Sequence, residues 1–216
     1  RFFAADDFYS LDWLEKKKKD FSNEGEYKSH YPLNEHEAFI YSGSPFFSRQ
    51  GMEKMMANVI EPIEAGRIAA DGSFIDMKTD LAPVRLYRKL EPDEHICIFG
   101  DPAEGVDYCA AVGISKKYND APIVYNNKTE SPQFGHDLYH LAKYVEMYTH
   151  IWPTIGIERN TGQATIHVLV TLNYPDLFRM RIFDAVGVRT SEKIGWLTTE
   201  ATKLKMLGDL ALAIKQ

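Results

Sequence analysis

The chain of 216 residues is long enough for one large domain, or for one domain with a substantial extension. Its hydrophobic share of 44% is ordinary for a globular protein, and no apolar run approaches the roughly 18 residues of a membrane span, so we expect no membrane association. The formal net charge of −6 gives no indication of nucleic-acid binding, but it does not exclude it, because a nucleic-acid enzyme needs only a locally basic surface.

The cysteines and the chain ends give two further expectations. Cys97 and Cys109 both fall in predicted strands, so we expect buried, reduced thiols and a reducing compartment. The sequence opens on Arg1 and stops at Gln216 within a helical pattern. We therefore expect a fragment of a longer protein.

The N-terminal part of the chain shows few clear patterns of apolar and polar residues. Aromatic and charged residues dominate 1–48, and the four lysines at 16–19 are typical of a solvated helix face. An apolar stripe predicts a helix over 49–65, which Gly66 ends. Residues 68–90 combine turn signals with one alternating stretch, which predicts a linker with some strand content.

From residue 95 onward the pattern is clearer. Short apolar runs predict strands over 95–100, 108–115 and 122–126, with connections short enough for an antiparallel meander. The elements predicted next are a helix from Ser131, a strand at 154–158, a helix at 161–172, a strand at 177–185 and a helix from 198 or 199. The order βββαβαβα predicts an α/β fold, namely a ribonuclease-H-like mixed sheet flanked by helices and incomplete at its C-terminal end.

Two acids, Asp101 and Glu158, directly end two of the apolar strands. The helix predicted between these strands makes them candidates for parallel neighbours, which lie about 4.8 Å apart in a sheet. A carboxylate at the end of a buried strand is costly without a positive partner. Two-metal phosphodiester hydrolysis needs several carboxylates to hold two Mg²⁺ ions. We therefore predict Asp101 and Glu158 as catalytic metal ligands of a nuclease.

Other candidate residues surround this pair in sequence. Asp107 follows Asp101 across a glycine turn, and is either a further metal-site residue or a plain turn acid. No G-x-x-x-x-G-K-[ST] motif occurs, so we expect no ATP hydrolysis. Phosphate binding depends on cations, and the candidate DNA-binding residues are Arg159, Arg189, Lys193, Lys203 and Lys205.

The stretches GDPAEGVDY at 100–108 and GIERNTG at 156–162 resemble the nuclease domain of the large terminase subunit of tailed bacteriophages. Residues 26–39 resemble the end of that family's packaging ATPase domain, and GWLTT at 195–199 with Lys203 also fits its pattern. The resemblance implies a linker and ATPase tail over residues 1–80 and a truncated nuclease domain over 81–216. It implies an endonuclease that cuts concatemeric double-stranded DNA during packaging and uses two Mg²⁺ or Mn²⁺ ions.

The resemblance also implies roles for particular residues. Asp101 and Glu158 become metal ligands, and Asn160 and Gly162 shape the turn beside them. The implied partners are double-stranded DNA, the portal protein and the small terminase subunit, in the cytoplasm of the infected bacterial host. The family's third acid falls beyond the end of this chain, so we expect weak metal affinity and slow cleavage. Asp209 points away from the apolar stripe of the last helix and is predicted to be a solvent residue.

Three other interpretations remain open. A junction resolvase or a transposase would use the same fold, although residues 26–39 argue against both. An actin-like nucleotide-binding module shares the early strands and would bind ATP through glycine-rich hairpins instead of cutting DNA. The chain could also serve only as an interaction module in a packaging motor.

Overall fold

The computed structural model describes residues 4–34, 37–38, 46–103, 107–183 and 189–215. They form two compact units, the first comprising Arg1–Val59 with Lys203–Gln216 and the second comprising Ile60–Thr202. None of the described helices is long and apolar enough to cross a membrane.

The first unit is helical. A short 3-10 helix spans Ala5–Asp7, and the α-helices are α1 (Leu11–Lys18), α2 (Glu24–His30), α3 (Arg49–Ala57) and most of α6 (Glu200–Lys215). The side chains of Ser10, Asn23 and Ser48 cap α1, α2 and α3 by accepting a backbone hydrogen bond at each N-terminus. The helix predicted over 49–65 is shorter and ends at Ala57. A helix through residue 65 is excluded because Pro62 disfavours helical geometry at Glu61 and a strand begins at Glu64.

The second unit is an α/β domain built on a mixed sheet of seven strands. In spatial order they are β2, β1, β3, β6, β5, β4 and β7. Every neighbouring pair is antiparallel except β4 with β7, which is parallel. The predicted α/β class and the antiparallel meander are confirmed. The strands are β1 (Glu64–Ile68), β2 (Phe74–Asp76), β3 (Val84–Leu86), β4 (Ile96–Asp101), β5 (Cys109–Ser115), β6 (Ile123–Asn127) and β7 (Thr154–Ile157).

The sheet starts earlier in the chain than the predicted boundary between residues 80 and 81. Strand β1 pairs with both β2 and β3, and β3 pairs with β6. Val84 and Leu86 are buried while Arg85 between them is half-buried, which is the alternation of a strand with one face in the core. These backbone ladders join residues 64–76 to the α/β domain.

Two helices complete the core of the second unit. They are α4 (Ser131–Thr149) and α5 (Gln163–Thr171). The apolar stripe of α4, which includes Phe134, Leu138 and Leu141, is buried in one cluster with the inward-facing residues of the strands. The helices approach closely at Gly135, where a Cβ atom would lie 2.9 Å from Val168. The absence of a side chain at Gly135 thus lets α4, the helix between β6 and β7, pack closely against α5.

The strand predicted at 177–185 is confirmed over 179–183, and residues 184 and 185 lie outside the described part of the chain. It does not belong to the main sheet; within 177–183, Leu177 forms an isolated parallel bridge to β7 at Ile155. The following residues form β8 (Arg179–Phe183), which pairs with β9 (Arg189–Ile194) in a separate antiparallel hairpin. The residues of β9 are mostly polar, so no apolar run marks this strand in the sequence. Its backbone pairs with β8 along one edge.

Candidate active site

The parallel pairing of β4 with β7 brings Asp101 and Glu158 to one edge of the sheet. Gly100 lies opposite Ile157 in the register of these strands, so the two acids follow at matching positions. The prediction that the two strands are parallel neighbours is confirmed. α4 joins β6 to β7 and returns the chain to the free side of β4, where β7 pairs in parallel, so both strands end in the same direction and both carboxylates lie at their C-terminal ends.

Glycines allow the backbone and the core to come close at these strand ends. A Cβ atom on Gly156 would lie 2.7 Å from the ring of Phe99, and one on Gly100 would lie 3.1 Å from the ring of Phe134. Either side chain would force the aromatic ring to move. The two glycines therefore permit the packing that holds the strand ends together.

The two acids interact electrostatically. Asp101 is exposed and Glu158 is half-buried. Desolvation by the surrounding strand ends, and then the neighbouring Glu158 carboxyl, raise the pKa of Asp101. The ionised forms repel each other, so the pair favours a bound proton or a bound cation.

The turn after Glu158 is fixed by side-chain hydrogen bonds. Asn160 donates to the carbonyl oxygen of Thr198 at 2.7 Å and accepts from its backbone nitrogen at 3.0 Å. Thr161 donates to the carbonyl oxygen of Pro102 at 3.0 Å. Gly162 fits where a Cβ atom would lie 2.2 Å from the carbonyl oxygen of Glu158. The turn therefore links the end of β7 to the segment after β4 and to the segment after β9.

A groove begins beside this turn, between α5 and the β8–β9 hairpin. Its volume is about 520 Å³. Nη1 of Arg159 is buried without a hydrogen-bond partner among the described residues. The lining residues are Arg159, Gln163, Ile166, Arg179, Glu192, Lys193 and Ile194. Two of the predicted DNA-binding residues, Arg159 and Lys193, thus line one groove, which begins at the residue after Glu158.

Arg179 and Gln163 also line the groove, although neither was predicted as a site residue. Arg179 begins β8, where arginines alternate with apolar residues, and Gln163 begins the helix that follows the Glu158 turn. The alternation in β8 was a usable signal, because one face of a hairpin strand carries every second side chain. The partner strand that closes the groove could not be recognised from its polar sequence.

The other predicted site residues lie elsewhere or outside the described part. Asp107 is exposed on the connection between β4 and β5. The side chain of Arg189 lies outside the described residues. Lys203 and Lys205 belong to the first unit, where Lys205 pairs with Asp209 at 2.7 Å.

The donor set at the strand ends fits a hard divalent cation. Carboxylate oxygens are the ligands that Mg²⁺ prefers, and Mg²⁺ retains waters where the protein supplies few ligands. Within the described ranges, no group of three or more His, Cys, Asp and Glu side chains could hold a metal ion. The pair of acids is therefore suited to one ion with a largely hydrated shell.

Comparison with known protein families and with curated proteins gives no match for this chain.

Proposed function

We propose that this chain is a metal-dependent endodeoxyribonuclease with a ribonuclease-H-like fold, of the kind found in the large subunit of DNA-packaging terminases. One observation carries the proposal: Asp101 and Glu158 end adjacent parallel strands at matching positions. The antiparallel meander before the crossover helix agrees with this fold. The proposed substrate is concatemeric double-stranded DNA, and the proposed partners are the portal protein and the small terminase subunit.

The chemistry follows from the charges of the site. Divalent Mg²⁺ or Mn²⁺ would activate water and stabilise the leaving oxygen of a phosphodiester. A complete site of this kind holds two such ions. Asp101 and Glu158 would hold the cation, and their mutual repulsion makes its binding favourable at a pH where both are ionised. The turn through Asn160 keeps Glu158 in place, and the cations of the groove attract the DNA backbone.

The test is cleavage of supercoiled plasmid in Mn²⁺. We expect slow nicking by the wild-type chain, no cleavage by Asp101→Asn or Glu158→Gln, and undiminished cleavage by Asp76→Asn. Asp76 is an exposed acid on β2, at the opposite edge of the sheet from β7, and is therefore the matched control. Cleavage that persists in both site variants would contradict the proposal. Saturable ATP binding without any cleavage would favour the actin-like alternative.

A further inference from the structure

The groove beside Glu158 carries an excess of positive charge. Among the described residues, three cations line it, namely Arg159, Arg179 and Lys193, against one acid, Glu192. The carboxylate of Glu192 lies 3.7 Å from Nε of Arg181, which partly neutralises that acid. The groove therefore attracts anions, and the attraction is strongest where its walls exclude water.

Arg159 brings to this groove a guanidinium whose hydrogen bonds are incomplete within the described part of the chain. Its backbone is held on both sides, because its nitrogen donates to the carbonyl oxygen of Trp196 at 2.6 Å and its own carbonyl accepts from Gln163 at 3.1 Å. The guanidinium has only donors, and its Nη1 is buried without a partner in the described part of the chain. A buried donor without an acceptor is unfavourable. An oxyanion in the groove, which Arg159 lines, would supply acceptors to its guanidinium.

We infer that this groove is a phosphate subsite, which takes a phosphate of the DNA backbone adjacent to the one that is cut. The inference rests on the proposed nuclease function. Arg159 lines the groove and directly follows Glu158, so the groove begins one residue along the chain from the carboxylate pair. Arginine presents a planar fork of donors that matches phosphate geometry. Arg159 and Arg179 are accordingly positioning residues, which hold the DNA in register without contacting the reacting atoms.

The experiment measures binding without metal. A short labelled DNA duplex is titrated in EDTA at several salt concentrations with the wild-type chain and with Arg159→Gln, Arg179→Gln and Lys78→Gln. Each groove variant should bind more weakly and reduce the slope of log affinity against log salt by about 1, the value for one lost phosphate contact. Lys78, an exposed lysine just after β2 at the far edge of the sheet, is the matched control and should leave the slope unchanged.

Two further measurements make the interpretation specific. Arg159→Lys should keep the salt slope but lose affinity, because lysine retains the charge without the fork of donors. Inorganic sulfate at constant ionic strength should displace the duplex from the wild-type chain more effectively than from Arg159→Gln. Melting curves check that each variant is folded. Arg179 is exposed on the β8–β9 hairpin, so Arg179→Gln tests the groove without altering the turn after Glu158.

The result that overturns the inference is a pair of groove variants with the affinity and salt slope of Lys78→Gln. This outcome is separate from failure of the nuclease proposal, because no metal and no cleavage enter the binding assay. Cleavage that depends on Asp101, together with unchanged binding by the groove variants, would reject the subsite alone. Weakened binding by the groove variants, in a chain that never cleaves DNA with Mn²⁺, would support the anion site and reject the nuclease.

Discussion

The backbone nitrogen of Glu158 donates a hydrogen bond to the carbonyl oxygen of Gly100 over 3.0 Å. This bond extends the parallel ladder of β4 and β7 by one residue and sets Glu158 beside Asp101. The two acids are thus brought together by backbone pairing, before any side-chain contact is considered. Substitutions that keep the shape of either side chain should therefore alter the charge of the site without altering the backbone pairing of β4 with β7.

Asp101→Asn should raise the melting temperature of the metal-free protein near neutral pH. The pKa of Asp101 is raised above its ordinary value of 3.8, so the folded state binds this proton more tightly than the unfolded state. The resulting stability is fully present below the ordinary pKa and is lost as the pH rises through the raised value. At neutral pH the ionised pair is repulsive, and the asparagine removes the repulsion.

Melting curves in EDTA and in Mn²⁺ check this prediction. The higher melting temperature of Asp101→Asn should disappear below pH 3.8, where residue 101 is uncharged in both the wild-type chain and the variant. Mn²⁺ should raise the melting temperature of the wild-type chain and not that of the variant, because only the folded wild-type site binds it. A variant that melts at or below the wild-type temperature in EDTA would show that the pair is not repulsive.

Arg88→Met should destabilise the second unit by about 2 to 3 kcal/mol, somewhat less than for a fully buried ion pair because Arg88 is partly exposed. Arg88 donates to Asp120 at 2.6 and 2.8 Å and to the fully buried carboxylate of Glu94. Its loss would leave the Glu94 charge buried without a cation. Lys117→Met, at an exposed pair with Glu91, is the control and should change the free energy of unfolding little.

Acid unfolding should report on the same ion pair between Arg88 and Glu94. Burial raises the pKa of Glu94, but the hydrogen bonds from Arg88 and its neighbours outweigh burial and lower the pKa from 4.5 to about 2. A lowered folded pKa contributes stability above pH 4.5, and this stability is lost as the pH falls toward about 2. Urea unfolding across this range should show the loss in the wild-type protein and a smaller loss in Glu94→Gln. Equal pH profiles for the two proteins would contradict the assignment.

Gly162→Ala should lower stability by about 1 to 3 kcal/mol, the usual cost of forcing a methyl group into filled space. The added Cβ atom would lie 2.2 Å from the carbonyl oxygen of Glu158 and 2.5 Å from the side chain of Ile157, so the turn must shift. We expect reduced Mn²⁺ affinity as a consequence, because Glu158 moves with the turn. Calorimetric titration and urea unfolding measure the two effects.

Gly208→Ala is the control for this glycine substitution. A Cβ atom on Gly208 has nothing within 4 Å, and the residue lies inside helix α6. Alanine at such a position should be neutral or stabilising by up to about 1 kcal/mol. If Gly162→Ala behaved like Gly208→Ala, the close packing of the turn would not matter for stability.

Asp209→Asn should leave Mn²⁺ affinity and plasmid cleavage unchanged. The carboxylate of Asp209 is exposed and pairs with Lys205 at 2.7 Å, one helical turn earlier. Calorimetric titration with Mn²⁺, alongside Asp101→Asn as the positive control, measures the effect. Loss of metal binding in Asp209→Asn would make this residue a ligand and would contradict its assignment to the helix surface.

The sequence by itself determined the local structure around the candidate site. Apolar runs that end at Asp101 and Glu158 predicted two buried strands, and the amphipathic pattern before the second run predicted the crossover helix. Such patterns are readable because burial on one face imposes a period of 2 on strands and of 3.6 on helices. Alternation at Val84 and Leu86 indicated β3 for the same reason, although not that the strand extends the sheet.

Only the tertiary structure decided which segments share hydrogen bonds across long distances in sequence. Strand β9 is mostly polar, and its place is set by the ladder with β8, so no apolar pattern marks it. The groove exists because this hairpin lies beside α5, which brings Arg179 and Lys193 to Arg159. The division of the chain at Ile60 likewise depends on the pairing of β1 with β3. Buried backbone N–H and C=O groups must form hydrogen bonds, but the local sequence does not determine which segment supplies the partner.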